Sequence, residues 1–327
     1  VKVAILGAGA AGSAAALVLQ RSGIQACLVE CAPFPRYRPG ETLHPGIAPL
    51  LERLGVASVL ERSTVRHQGT WVDWGGSTAF VPFGSDADGP WRGYQLPREI
   101  LDNALLQAAL ERGAILLTAR AHDILRKPSG AVGGIVTSKG GIDADYVFDC
   151  TGANAWLLRR LGVPLLPQSP ALFASIGYAS GDCAAALPCI RADRQGWTWL
   201  AQVDSRRYHW TRVTQRAARP PADWAPPSYA GLHVECVRGA DVSWRIARRC
   251  AGPGWFACGD AAARLDPSSS HGVLHALMSG MMAAHMVARQ APAMARMYHD
   301  WLAEWFAHDS AELARNYRKA GLFGYAG

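Results

Sequence analysis

Three glycines and one acid near the start of the chain have the types and spacing to hold a dinucleotide. Gly7-Ala8-Gly9-Ala10-Ala11-Gly12 spells G-x-G-x-x-G, and Glu30 follows 18 residues after Gly12. The glycines differ in what they do. Gly7 permits a tight turn, Gly9 lets backbone approach a pyrophosphate, and Gly12 lets helix and strand pack closely. A helix opening at Ala10 and Ala11 offers free N–H groups to the phosphates. A carboxylate at Glu30 accepts hydrogen bonds from the ribose hydroxyls of an adenosine and repels a 2′-phosphate, which favours FAD or NAD over NADP.

The surrounding elements follow from residue pattern. Val1 to Leu6 is a nearly unbroken apolar run, Ala14 to Gln20 lacks a helix breaker, and Ala26 to Val29 reads as a second strand closing on Glu30. Tyr146-Val147-Phe148 forms an apolar strand running into Asp149-Cys150-Thr151-Gly152. Another strand ends at Gly259-Asp260, and a helix begins near Gly272. Val65 to Trp91 and Gln168 to Arg248 instead alternate apolar and polar residues with many tryptophans, as short antiparallel strands do. After His285 the chain is helical, and Met294, Met297, Trp301, Leu302, Trp305, Phe306 and Leu313 form an apolar stripe expected to pack in the core. These patterns predict an α/β chain: a discontinuous nucleotide-binding domain over 1–64, 93–165 and 252–327, and a substrate-facing sheet over 65–92 and 166–251.

Composition narrows the function classes. Half of the 327 residues are hydrophobic, which argues against disorder, and no apolar stretch is long enough for a membrane span. The chain enters the nucleotide motif without a basic, cleavable leader, so the expected setting is cytoplasmic. Eight cysteines are scattered without C-x-x-C or Cys/His metal spacing, so buried thiols and no metal site are expected. The net charge of +7 comes almost wholly from arginine, but no basic run supports nucleic-acid binding.

Beyond Glu30, the segment from Phe34 to Leu43 reads F-P-R-x-x-x-G-E-T-L, an irregular, polar, proline-bearing loop. Here the chain resembles flavoproteins related to tryptophan halogenases and to aromatic hydroxylases of the single-FAD-domain type. Leu96-x-Arg98-x-x-Leu101-Asp102, the Asp149 to Gly152 turn, Gly259-Asp260 and Pro267-x-x-Ser270-x-Gly272 continue the resemblance in the same order. The phenylalanine expected three residues before Pro267 is Arg264. The resemblance implies a Rossmann-like, glutathione-reductase-type fold with FAD as cofactor. It also implies that Arg98 contacts FAD, that Arg36 and Arg38 reach its phosphate or ribose, and that Asp260 binds the ribityl chain. The loop at Pro267 and the helix start at Gly272 and Val273 would bring backbone N–H groups to the flavin pyrimidine.

Which flavin chemistry follows depends on what is missing. Gly196-Trp197-Thr198-Trp199 opens like the halogenase G-W-x-W-x-I-P, but Ala201 and Gln202 break the match. Halogenases also need a lysine between the halves of their flavin site, and no lysine occurs from Val3 to Leu125. Arginine, always charged, is no substitute. The D-G-x-x-S-x-x-R element of NADPH-driven phenol hydroxylases is absent too, and there is no second G-x-G-x-x-G. Electrons must then come from transient NAD(P)H contact, a separate flavin reductase, or the substrate.

What remains is similar to flavoprotein monooxygenases that oxygenate a tryptophan side chain within another protein during tryptophylquinone cofactor biogenesis. That resemblance implies tryptophan hydroxylation through a flavin C4a-hydroperoxide, on an aromatic small molecule or a tryptophan-bearing polypeptide. His271 and His44 are the acid–base candidates for such a reaction, a structural hydrogen bond being the rival role for each. Glu41 is expected to brace its own loop. A dehydrogenase or reductase acting on prenyl chains, and a non-catalytic flavoprotein scaffold, stay open on these residues.

Overall fold

The computed structural model describes residues 1–183, 188–291 and 293–325. Its helices are α1 (Ala10–Arg21), α2 (Ile47–Leu54), α3 (Arg98–Glu111), α4 (Trp156–Arg160), α5 (Gly272–Ala288) and α6 (Met294–Lys319). Lys2–Leu6 lies in the middle of a six-stranded sheet, in the order Ile115–Thr118, Gln25–Glu30, Lys2–Leu6, Tyr146–Asp149, Trp255–Ala257 and Ala251–Gly252. The first five run parallel and only the short Ala251–Gly252 edge is antiparallel. Val3 to Leu6 are buried without a polar alternate, as strands covered on both faces require.

Close approach explains the glycines. Gly7 sits at φ +96°, a left-handed conformation, and a Cβ there would lie 2.5 Å from the Cys150 carbonyl oxygen. A Cβ at Gly12 would lie 2.0 Å from the Gly7 oxygen, and one on Gly280 of α5 only 2.2 Å from the Ala11 oxygen of α1. α1 and α5 thus cross backbone to backbone, with the first turn of α1 against the middle of α5.

A seven-stranded sheet forms the second layer system, ordered His233–Asp241, Leu172–Ser180, Arg207–Gln215, Gly196–Gln202, Cys189–Asp193, Gly69–Asp73 and Ala79–Pro82. All its pairings are antiparallel except Cys189–Asp193 with Gly69–Asp73, which joins distant chain segments side by side. Trp197 and Trp210 are fully buried in this layer system, as is Trp244 just beyond the edge strand.

α6 spans both cores. Tyr298 and Leu302 pack under the parallel sheet, whereas Phe306, Leu313 and Tyr317 pack against the antiparallel one. Met297, expected in the apolar stripe, points outward instead and is 50% exposed, because it faces away from both sheets' cores. All eight cysteines are free; Cys189, Cys250 and Cys258 are buried, but Cys31 is exposed and the others half-buried, since several lie at strand ends. No described helix is long and apolar enough to cross a membrane.

Replacing Gly280 with alanine should force α5 away from α1. Overpacking of this kind costs about 1–3 kcal/mol, and denaturant unfolding of Gly280→Ala should show that loss.

Candidate flavin site

The first turn of α1 has no side-chain cap and no acidic residue, so its N–H groups are free to face a ligand. A Cβ added to Gly9 would meet only the tips of Arg36 and Asp102, at 3.6 and 3.9 Å, rather than packed backbone. Glu30 ends its strand with a buried carboxylate that accepts from the N–H groups of Ala8 (3.1 Å) and Ala32 (3.0 Å) and pairs with Arg36 at 3.1 Å. Arg36 Nε is buried without a partner among the described residues. Arg98 forks onto Asp102 with both Nε and Nη2, at 3.0 to 3.1 Å. Burial and then Arg36 push the Arg38 guanidinium below its ordinary value, with Arg98 adding to the effect and Glu30 and Asp102 opposing it. Three guanidinium groups around one glycine turn, one with an orphaned N–H, suit a pyrophosphate.

The other end of the site is the loop between Ala263 and α5, and Asp266 builds it. Its buried carboxylate caps the short helical turn Pro267–Ser269 by accepting from Ser268 N (2.9 Å) and Ser268 Oγ (2.6 Å). The other oxygen accepts from Trp244 Nε1 (2.5 Å) and Tyr317 OH (2.6 Å), and Trp197 Nε1 donates in turn to Tyr317 at 2.9 Å. Ser270 then turns through φ +56° and α5 starts at Gly272 without a side-chain cap. Gly272 has nothing within 4 Å of a Cβ position, so the helix start is open. Asp260 stands beside it, reaching solvent yet walled by protein. That enclosure pushes its carboxyl up, against the pull of Arg264, Arg98 and Arg38.

His271 and His44 face each other at this helix start, ring edge to ring face with centroids 5.2 Å apart. His44 Nδ1 accepts the Gly46 N–H at 3.0 Å, and burial, followed by His271, holds its imidazole below the ordinary value. His271 Nδ1 lies 2.7 Å from Asp309 Oδ2 on α6. His275, one turn along α5, comes within 3.8 Å of the same oxygen. Phe83 packs against both His44 and His67. Glu41 accepts the Gly40 N–H at 3.0 Å, bracing its loop, and also accepts from Tyr178 OH on the antiparallel sheet, with His209 Nε2 3.9 Å away.

The structure therefore gathers the residues singled out in the sequence at two neighbouring ends: Gly7, Gly9, Ala10, Ala11, Gly12, Glu30, Arg36, Arg38 and Arg98 at one, and Asp260, Pro267, Gly272, Val273, His44 and His271 at the other. Gly259 donates its N–H to Ser279 Oγ of α5 at 2.8 Å, which fixes the turn that carries Asp260. Sequence reasoning missed Asp102 as the partner of Arg98, Asp266 as the anchor of the loop, and Asp309. The i,i+4 spacing of Arg98 and Asp102 was a signal for the first; the others depend on distant contacts.

An α/β fold with a glycine turn, an acid closing the second strand and clustered arginines defines a dinucleotide-dependent flavoprotein. The chain belongs to the FAD binding domain family, whose sequence model matches residues 1–220, and FAD is its cofactor. It is 28% identical to a menaquinone reductase of Mycolicibacterium smegmatis, over 87% of this chain and 76% of that protein. It is 26% identical to a 6-hydroxynicotinate 3-monooxygenase of Bordetella bronchiseptica, over 99% of this chain and 95% of that one. A tryptophan 2-halogenase of Chondromyces crocatus is also 26% identical, over 88% of this chain but only 60% of its own length. Among solved structures, the flavin-dependent halogenase CmlS superposes with a TM-score of 0.87 at 25% identity, covering 98% of this chain and 65% of that one. The chain is thus an FAD-dependent oxidoreductase of the superfamily that contains monooxygenases, halogenases and reductases.

Asp266→Asn should loosen the loop, because an amide places a donor against either Ser268 or the Trp244 and Tyr317 donors. We expect a stability loss of about 1–3 kcal/mol and weaker FAD retention, read by thermal unfolding and by flavin release on gel filtration.

Burial drives the His275 imidazole down to about 3, with His271 adding and Asp309 opposing, and drives His67 down to about 4. Below the unfolded value of 6.5 the unfolded chain takes up protons that these rings refuse, so stability falls from pH 6.5 down to those values. The slope is about 1.4 kcal/mol per pH unit for each histidine. Urea midpoints measured against pH should flatten in His275→Gln and His67→Gln.

Proposed function

We propose that the protein is an FAD-dependent monooxygenase that hydroxylates an electron-rich aromatic ring, an indole or tryptophan side chain, including one carried by a polypeptide in tryptophylquinone biogenesis. The observation that carries this reading is the imidazole pair His44 and His271 at the open start of α5, in a chain whose four lysines, at 2, 127, 139 and 319, all lie outside the loops that form the site. A 6-hydroxynicotinate 3-monooxygenase relative, matched over nearly the whole of both chains, supports it.

In this reading Gly7 to Gly12 and the first turn of α1 hold the pyrophosphate, Arg36, Arg38 and Arg98 balance its charge, and Glu30 takes the adenosine ribose. Asp260 holds the ribityl chain, while the loop at Pro267 presents the open N–H groups of Gly272 and Val273, which stabilise negative charge on the flavin pyrimidine. FAD, when bound, accepts electrons from NAD(P)H or a flavin reductase and delivers them to oxygen. The protein's part is to exclude water, place the aromatic ring, and move a proton at His271 or His44. The antiparallel sheet formed within 65–92 and 166–251 is the substrate-facing unit.

The test is oxygen uptake by the reduced holoprotein with N-acetyltryptophanamide or a tryptophan-bearing peptide. Ring-dependent uptake with a product heavier by one oxygen atom is expected, and His271→Ala should lower its rate on the order of 10²-fold. Anaerobic transfer of electrons into a quinone or prenyl chain, with no oxygenated product, would assign the chain to the reductases that it also resembles.

A further inference from the structure

α6 carries one acid whose geometry the flavin site does not by itself explain. Asp309 is buried on the sheet side of α6, and its Oδ2 lies 2.7 Å from His271 Nδ1. His275 Nε2 is 3.8 Å from that same oxygen, and His308 Nδ1 is 3.2 Å from Oδ1 on the solvent side. The titratable groups around His271 are therefore Asp309 and His308 from α6, His275 from α5 itself, and His44 from the loop opposite.

These groups are not equivalent. His275 is kept neutral by burial, so it accepts no share of the charge. His44 has its Nδ1 committed to the Gly46 N–H and faces no carboxylate. Asp309 is held ionised by its hydrogen bonds from His271 and His308 against the cost of its burial. His271 combines a carboxylate on Nδ1, a partly exposed ring, and an Nε2 without a hydrogen bond among the described residues; His308 shares the carboxylate but stands on the solvent side of α6, away from the helix start.

We propose that Asp309 is the positioning residue of His271: it accepts the Nδ1 proton, fixes the ring's orientation at the start of α5, and leaves Nε2 as the nitrogen that gives or takes a proton in the cavity. The inference rests on the reading in which His271 moves a proton. A carboxylate on one imidazole nitrogen selects the tautomer and stabilises the cationic ring, so the other nitrogen can cycle between donor and acceptor. Asp309 itself keeps its charge throughout, and the proton moves only at Nε2. The arrangement also explains why the acid is on α6. That helix is anchored in both cores, so the carboxylate is carried on a rigid support rather than on the loop it controls.

The test is carbethoxylation of the flavin-free protein by diethyl pyrocarbonate across pH, with each histidine followed by peptide mass spectrometry. Only neutral imidazoles react, so the labelling midpoint reports proton affinity without flavin, oxygen or substrate. Asp309→Asn should move the His271 midpoint down by about one pH unit, Asp309→Glu should restore it, and His308→Gln should leave it in place. Near-ultraviolet circular dichroism checks that each variant is folded, and Asp309→Ala takes the place of Asp309→Asn if the amide variant does not fold. A His271 midpoint unmoved in the folded Asp309 variant overturns the proposal. So does protection of both His271 and His275 by one equivalent of Zn²⁺, because the three donor atoms lie within 4.8 Å of one another and would then be a metal site. None of these outcomes depends on whether the enzyme oxygenates a ring, so failure of the dyad and failure of the monooxygenase reading are separable.

Discussion

One buried carboxylate holds the loop before α5 in place. Asp266 accepts four hydrogen bonds, two from its own turn, one from Trp244 beyond the edge of the antiparallel sheet and one from Tyr317 on α6. A buried acid is tolerated only when its lone pairs are satisfied, so three separate parts of the chain must be present and in register at once. The turn that launches α5 inherits its position from that agreement. His271, which follows that turn, is therefore placed by a carboxylate buried behind it.

The opposite end of the site works by imbalance rather than satisfaction. Arg36, Arg38 and Arg98 crowd one glycine turn, and Glu30 and Asp102 offset only part of their charge. An anion entering there meets free helix N–H groups and guanidinium groups already held in orientation, so little reorganisation accompanies binding. The two ends are joined by the backbone contact of Gly280 with Ala11, which has no side chain to adjust. The spacing of α1 and α5 is therefore set by main-chain sterics, and the charges around them act on a distance that packing has already fixed.

How much of this was legible in the sequence depends on the range of the interaction. Gly7 and Gly12 could be read because their constraint is local: a tight turn and a close crossing permit no Cβ. Glu30 was legible because strand length places it. Glu41 was half legible, since its bond to Gly40 is next door but its bond to Tyr178 closes across 137 residues. Asp309 reads in sequence as one more acid on the polar side of an amphipathic helix. Helical periodicity says which residues share a face, but not that His271 waits opposite. Met297 failed for the same reason, because an apolar stripe is covered only where something packs against it.

α6 has a consequence for how the protein comes into being. It is synthesised after every strand it bridges, and it brings both Tyr317 to Asp266 and Asp309 to His271. Until α6 docks, the loop at 263–271 lacks two of its supports and the parallel sheet lacks the cover of Tyr298 and Leu302. Order in this loop is thus a late event in biosynthesis, conferred by the docking of one helix.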